Sequence, residues 1–87
     1  MSTRADKRVR AALGARLRTL REKQGYTQRA LGRRARLSGK FIGEVERGEK
    51  SITVDSLYLL ARALATPLHK LVAVDPGRNG HRGPRRR

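Results

Sequence analysis

From Val9 onward, large apolar residues recur at helical spacing. Val9, Leu13, Leu17 and Leu20 fall at i, i+4, i+8 and i+11, on one face of a helix. Arg10, Arg16, Arg18, Arg21 and Lys23 cover much of the remaining surface, and Gly25 supplies a stop. Thr27 is a good N-cap for a second, short helix over Gln28 to Ala35, with Ala30, Leu31 and Ala35 turned inward. Arg36-Leu37 interrupts the pattern. Ser38 then caps a third helix running through Glu46 or Arg47, with Ile42 and Val45 inward and Gly48 ending it. Thr53 caps a fourth helix to about Ala65, whose inner face is Leu57, Leu60, Ala61 and Leu64. Thr66-Pro67 has the form of an N-cap and first helical position for a short fifth helix carrying Leu68, Leu71 and Val72.

The pattern predicts an all-α chain of five short helices, with no strand and no internal repeat. Residues 1–8 carry no apolar periodicity and are expected to be a basic N-terminal arm. Residues 9–74 form the folded domain. After Val74 the composition changes to DPGRNGHRGPRRR, which has almost no apolar residue to bury, so 75–87 is expected to be a disordered, Arg-rich tail.

Charge narrows the partners. Twenty-two Lys and Arg against seven Asp and Glu leave a formal charge of +15, which points to a polyanion, above all nucleic acid. The chain has no cysteine, which excludes thiol catalysis, disulfides and thiolate zinc sites and fits a reducing compartment. No run is long and apolar enough to span a bilayer, and MSTRADKR lacks the apolar core of a signal peptide. A soluble, cytoplasmic protein with no membrane partner is expected. No metal-ligand cluster, phosphate-binding glycine loop or nucleophile–base arrangement emerges, so an enzyme, a cofactor and a metal are not expected. His69 and His81 stand too far apart in the chain, and too poorly accompanied, for ligands; they are expected at the surface.

Two short helices joined by a three- to four-residue turn, the second capped by serine, define a helix-turn-helix. Its use on DNA is mechanical: the first helix crosses the backbone, and the second presents its N-terminal residues to base edges in the major groove. The stretch YTQRALGRRARLSGKFIGEVERGEKSITVDSLYLLARAL, Tyr26 to Leu64, resembles the phage-repressor and Cro-type (XRE) helix-turn-helix family, with LGARLRTLREKQG before it and TPLHKLV after it matching the first and fifth helices. The resemblance spans roughly residues 10–73. It rests on the combination of Thr-Gln opening the second helix, ERG ending the third, and L-x-x-L-A-x-A-L in the fourth.

The resemblance implies a five-helix, lambda-repressor-like domain that binds double-stranded DNA to regulate transcription. It places Ser38, Gly39, Lys40, Gly43 and Glu44 at groove-facing, base-reading positions. Gln28 matches a glutamine that contacts phosphate and helps orient the recognition helix. Arg21 and Glu46 match a pair that some members use as a buried, orienting ion pair. Arg47, Lys50 and Ser51 fall in the region between the third and fourth helices that often touches the DNA backbone. Arg29, Arg33, Arg34 and Arg36, with no acid on the second helix to balance them, are expected as a phosphate-facing stripe. Phe41 is open between packing beneath the helix and contact with sugar-phosphate, while Tyr26 and Tyr58 are expected to pack.

Glycines at 39 and 43 are costly inside a helix, about 1 kcal/mol each relative to alanine. One turn apart beside Lys40, they are expected to let the backbone approach DNA. Base reading would then narrow to Lys40 toward guanine O6/N7 and Glu44 accepting from cytosine N4. The family's turn usually has glycine where this chain has Arg36, which leaves the tilt of the third helix open. Leu68, Leu71, Val72 and Val74 exceed what a small core requires and are expected to form a two-fold dimer patch, matched to inverted half-sites.

The resemblance also implies that activators of the family often offer acids on the second helix to the transcription machinery; this helix has none, and a homodimeric repressor is expected. No ligand-sensing domain is visible, so control is expected from the protein's own concentration or from a protein partner. A restriction-modification or phage-like controller and an autorepressing antitoxin paired with a toxin both fit. Two further classes are a nonspecific nucleic-acid-binding protein, against which the scarcity of aromatics counts only for single strands, and an interaction module that no longer reads DNA.

Overall fold

The computed structural model describes residues 4–74, all of whose regular structure is helical: α1 (Arg4–Lys23), α2 (Gln28–Ala35), α3 (Gly39–Glu46), α4 (Val54–Ala63) and α5 (Leu68–Leu71). The caps follow from local chemistry. Thr27, Ser38 and Thr53 sit in extended backbone, and their hydroxyls accept from the amides of Ala30, Phe41 and Ser56 at 2.9, 2.9 and 3.0 Å. Each such cap contributes about 1 kcal/mol by satisfying an orphan amide.

Three boundaries differ from the sequence expectation. α1 begins at Arg4, so residues 4–8 of the expected arm are helical; residues 1–3 and the expected disordered tail, 75–87, lie outside the described residues. These first turns have no apolar periodicity because Lys7, Arg8 and even Val9 are exposed, and core burial begins further along the helix. α4 ends at Ala63, and Ala65 follows in a left-handed conformation with φ 52°. α5 takes Pro67 as its N-cap, one residue later than expected, because the Thr66 hydroxyl turns back to donate to the Leu64 carbonyl at 3.1 Å.

Leu17, Leu31, Ile42, Val45, Leu60, Leu64 and Leu71 are fully enclosed, drawing every helix onto one core. Burying a side chain of this size contributes about 1.5–3 kcal/mol. Leu71 is therefore a core residue, and the expected dimer patch cannot include it. α1 crosses α3 at very short range. A Cβ on Gly14 would collide with the carbonyl oxygens of Val45 and Glu46, so only glycine permits this crossing.

Long polar side chains of α1, of the turn after it and of α2 close the C-terminal ends of other helices. Arg10 donates to the Gly48 carbonyl, Gln24 to Leu64, Arg34 to Ala63, and Arg16 through two nitrogens to Lys70. Orphan carbonyls at helix ends favour such cationic donors. Part of the chain's basicity thus holds the fold.

Candidate nucleic-acid interface

The N-terminal end of α3 is open. Ser38 is exposed, and the Lys40 side chain is 86% exposed, its Nζ 3.9 Å from Glu44 Oε2 one turn along. Glu44 is more sheltered, with 19% of its side chain exposed. A cleft lined by Gln28, Arg29, Gly39 and Lys40 opens where the N-termini of α2 and α3 meet. Arg29, Arg33 and Arg36 are exposed along α2 and its end, and no acid stands on that helix. Arg34 belongs elsewhere: its guanidinium lies 5.1 Å from the Tyr26 ring centroid and its Nε donates to Ala63. It ties α2 to α4, which removes it from the expected phosphate stripe.

The glycines of α3 have a different reason from the one expected. A Cβ on Gly39 would stand 3.0 Å from the Arg29 Cα, so its absence lets α2 and α3 meet. Gly43 is buried, and a Cβ there would stand 3.1 Å from Gln28 Oε1 and 3.2 Å from an Arg47 nitrogen. The missing side chains make room for the protein's own α2 and for the Arg47 side chain. The argument that they open α3 to DNA therefore fails, and as a buried residue Gly43 presents no surface for base reading.

The C-terminal end of α3 is anchored. Glu46 has 3% of its side chain exposed; Arg21 Nε donates to its Oε2 at 2.6 Å, Arg21 Nη2 to its Oε1 at 3.1 Å, and Gln28 Nε2 to the same Oε1 at 3.0 Å. Arg21 also donates to the Tyr26 carbonyl at 2.7 Å. The hydrogen bond to Glu46 raises the Arg21 guanidinium above its ordinary pKa against the cost of desolvation. One carboxylate thereby joins α1, α2 and α3. In this arrangement the Gln28 amide nitrogen is committed to Glu46.

Beyond α3, Arg47 bonds Glu49 through two nitrogens at 2.9 and 3.3 Å. That contact raises Arg47 and lowers Glu49 from their ordinary values. Lys50 and Ser51 are exposed beside them, and Phe41 is half-buried against the core. Arg36 completes the turn in a left-handed conformation, φ 63° and ψ 39°, where its backbone amide caps the end of α2. The conformation usual for a glycine is thus kept despite the side chain, at a cost of about 1–2 kcal/mol. Among the described residues no group of His, Cys, Asp and Glu is arranged to hold a metal, and no helix is long and apolar enough to cross a membrane.

Two short helices, the second capped and open at its N-terminus and flanked by arginines, define a helix-turn-helix DNA-binding module. The profile of the HTH_3 helix-turn-helix family matches residues 17–71, and the chain belongs to that family, whose members are DNA-binding regulators rather than enzymes. It is 34% identical over 64 residues to an uncharacterized HTH-type transcriptional regulator, y4dJ, of Sinorhizobium fredii, covering 74% of this chain and 83% of that one. It is 33% identical over 64 residues to the control protein C.SmaI of Serratia marcescens, covering 74% and 76%. Its fold superposes on the crystal structure of the restriction-modification controller protein C.AhdI of Aeromonas hydrophila with a TM-score of 0.70 at 32% identity, covering 71% of this chain and 94% of that one. The chain is a helix-turn-helix transcriptional regulator.

Proposed function

We propose that the protein is a sequence-specific binder of double-stranded DNA that represses transcription by occupying an operator as a homodimer. The observation that carries this reading is the contrast between the ends of α3: Ser38 and Lys40 stand open at one end, while Glu46 is locked by Arg21 and Gln28 at the other. A reading helix requires both properties, because a side chain discriminates bases only when its helix enters the groove at a fixed angle. Lys40 is the principal base-reading residue, with Ser38 and Glu44 beside it. Arg29, Arg33, Arg36, Arg47, Lys50 and Ser51 serve the phosphates.

Repression is favoured over activation by contact because α2 offers no acidic residue to a partner. The likeness to the restriction-modification controller C.AhdI supports a controller of that type over an antitoxin setting. For the dimer, Val72 remains exposed at 38%, and Val54 and Tyr58 lie one turn apart on α4 at 70% and 52%. These positions replace the buried Leu71 as candidates for the contact.

Selection of bound sequences from a random duplex library tests the proposal, with sedimentation of the full chain alone and on the selected site. The expected result is an inverted repeat with half-sites about one helical turn apart, bound by two protomers. Tight binding without any enriched sequence would refute it.

A further inference from the structure

We propose that the N-terminal turns of α1 form a phosphate-binding ledge, with Lys7 and Arg8 as its cations, that lengthens the DNA contact beyond the loop between α3 and α4. The inference rests on the duplex-DNA reading above and adds to it a surface that neither the helix-turn-helix nor that loop contains.

Placement carries the argument. Gly14 packs on the carbonyls of Val45 and Glu46 at the end of α3, and one turn earlier the Ala11 Cα lies 3.1 Å from where a Cβ on Gly48 would stand. Moving toward its N-terminus, α1 thus passes the end of α3 and runs out beside the loop that holds Arg47, Lys50 and Ser51. Arg10 fixes this course by donating from Nε to the Gly48 carbonyl at 3.3 Å. Lys7 and Arg8 precede Ala11 by four and three residues, so they continue the side of α1 that faces the loop. At the helical rise of 1.5 Å per residue, Lys7 lies about 6 Å beyond Ala11.

Charge supplies the partner. Between residues 4 and 10 the sequence sets Arg4, Lys7, Arg8 and Arg10 against the single acid Asp6. Lys7 and Arg8 are exposed, and Val9 beside them is 44% exposed, so these residues are not held by the core. Cations early in a helix also oppose its macrodipole, so their placement works against the isolated helix. A departure from local preference is expected where function requires it. A phosphate backbone leaving the α3–α4 loop along α1 meets these cations in succession, and each neutralised phosphate releases counterions.

The test uses the full-length Lys7→Ala/Arg8→Ala double variant on the duplex selected by the wild-type protein. A second double variant, Lys23→Ala/Arg62→Ala, removes equal charge from exposed positions at the other end of α1 and on α4. Thermal unfolding checks that both remain folded. The ledge predicts that the first variant lowers the magnitude of the slope of log K against log salt by about 1.8 per protomer, for two lost phosphate contacts. It also predicts loss of ethylation interference at the outermost phosphates of each half-site and the same preferred bases. The second variant should keep the interference pattern. An unchanged slope and pattern in the first variant, or equal losses in both, would overturn the ledge while leaving the DNA reading intact. Failure of the wild-type protein to select any duplex would instead remove the reading on which the ledge rests.

Discussion

Two arginine–carboxylate pairs meet at the end of α3, through adjacent residues with opposite surroundings. Glu46 turns inward to Arg21, and the two side chains are 3% and 11% exposed; Arg47 turns outward to Glu49, and these are 57% and 54% exposed. Their contact distances, 2.6 and 2.9 Å, are similar, so distance does not separate them. Burial does. An enclosed charge that loses its partner has no water to replace it, whereas an exposed pair competes with solvent and salt throughout. The inner pair therefore sets where α3 lies, and the outer one, under the proposed function, sets how readily Arg47 meets a phosphate.

The largest expected effect comes from breaking the inner pair on one side. Glu46→Ala leaves Arg21 buried without its carboxylate and should lower stability by about 3–5 kcal/mol, measured by denaturant unfolding. Next comes a pair of helix glycines. Gly14→Ala must move the backbone carbonyls of Val45 and Glu46 and should cost about 1–3 kcal/mol despite alanine's better helix propensity. Gly43→Ala meets only the far ends of Gln28 and Arg47, which can shift, so stability should change by less than about 1 kcal/mol. Equal losses at the two glycines would show that α3 is not held as described.

Arg36→Gly removes the left-handed strain and should stabilise by up to about 1 kcal/mol while weakening DNA binding through the lost charge. The smallest effect on stability belongs to the outer pair. Glu49→Gln should leave the unfolding midpoint unchanged, yet tighten DNA binding and steepen its salt slope by about 1 as Arg47 turns to phosphate. Because Arg47 holds the Glu49 carboxyl below its usual range, its pairing is present above that range and is lost only as pH falls through the lowered value. The difference between wild type and Glu49→Gln should thus stay constant from about pH 5 to 8.

Caps and inward faces were legible because their chemistry is local. Thr27, Ser38 and Thr53 each start a helix beside a periodic run, whereas Thr66 did not because its hydroxyl found the Leu64 carbonyl instead; Leu17, Leu31, Ile42, Leu60 and Leu64 follow from spacing alone. What required the fold was any feature with two remote partners. Gly39 and Gly43 are spaced as though for an outward face, yet the atoms they accommodate come from Arg29 and Gln28 of α2 and from Arg47 at the end of α3, arrangements that no spacing within α3 reveals. Arg34 is indistinguishable by composition from Arg33; only the arrival of Tyr26 and Ala63 makes it structural. Of the expected patch of Leu68, Leu71, Val72 and Val74, Leu71 dropped out for the same reason, since the depth of a short helix depends on what closes over it. The beginning of α1 escaped notice because turns projecting beyond a core leave no apolar imprint.

The most direct test of α3 as a reading helix is to repeat the random-duplex selection with Lys40→Ala beside the wild-type protein. If the open end of α3 reads bases, the variant relaxes preference at one position in each half-site and leaves the others intact, a loss of about 1–3 kcal/mol of discrimination there. Uniform weakening across all sequences would mean that Lys40 touches only phosphate, and would contradict the account.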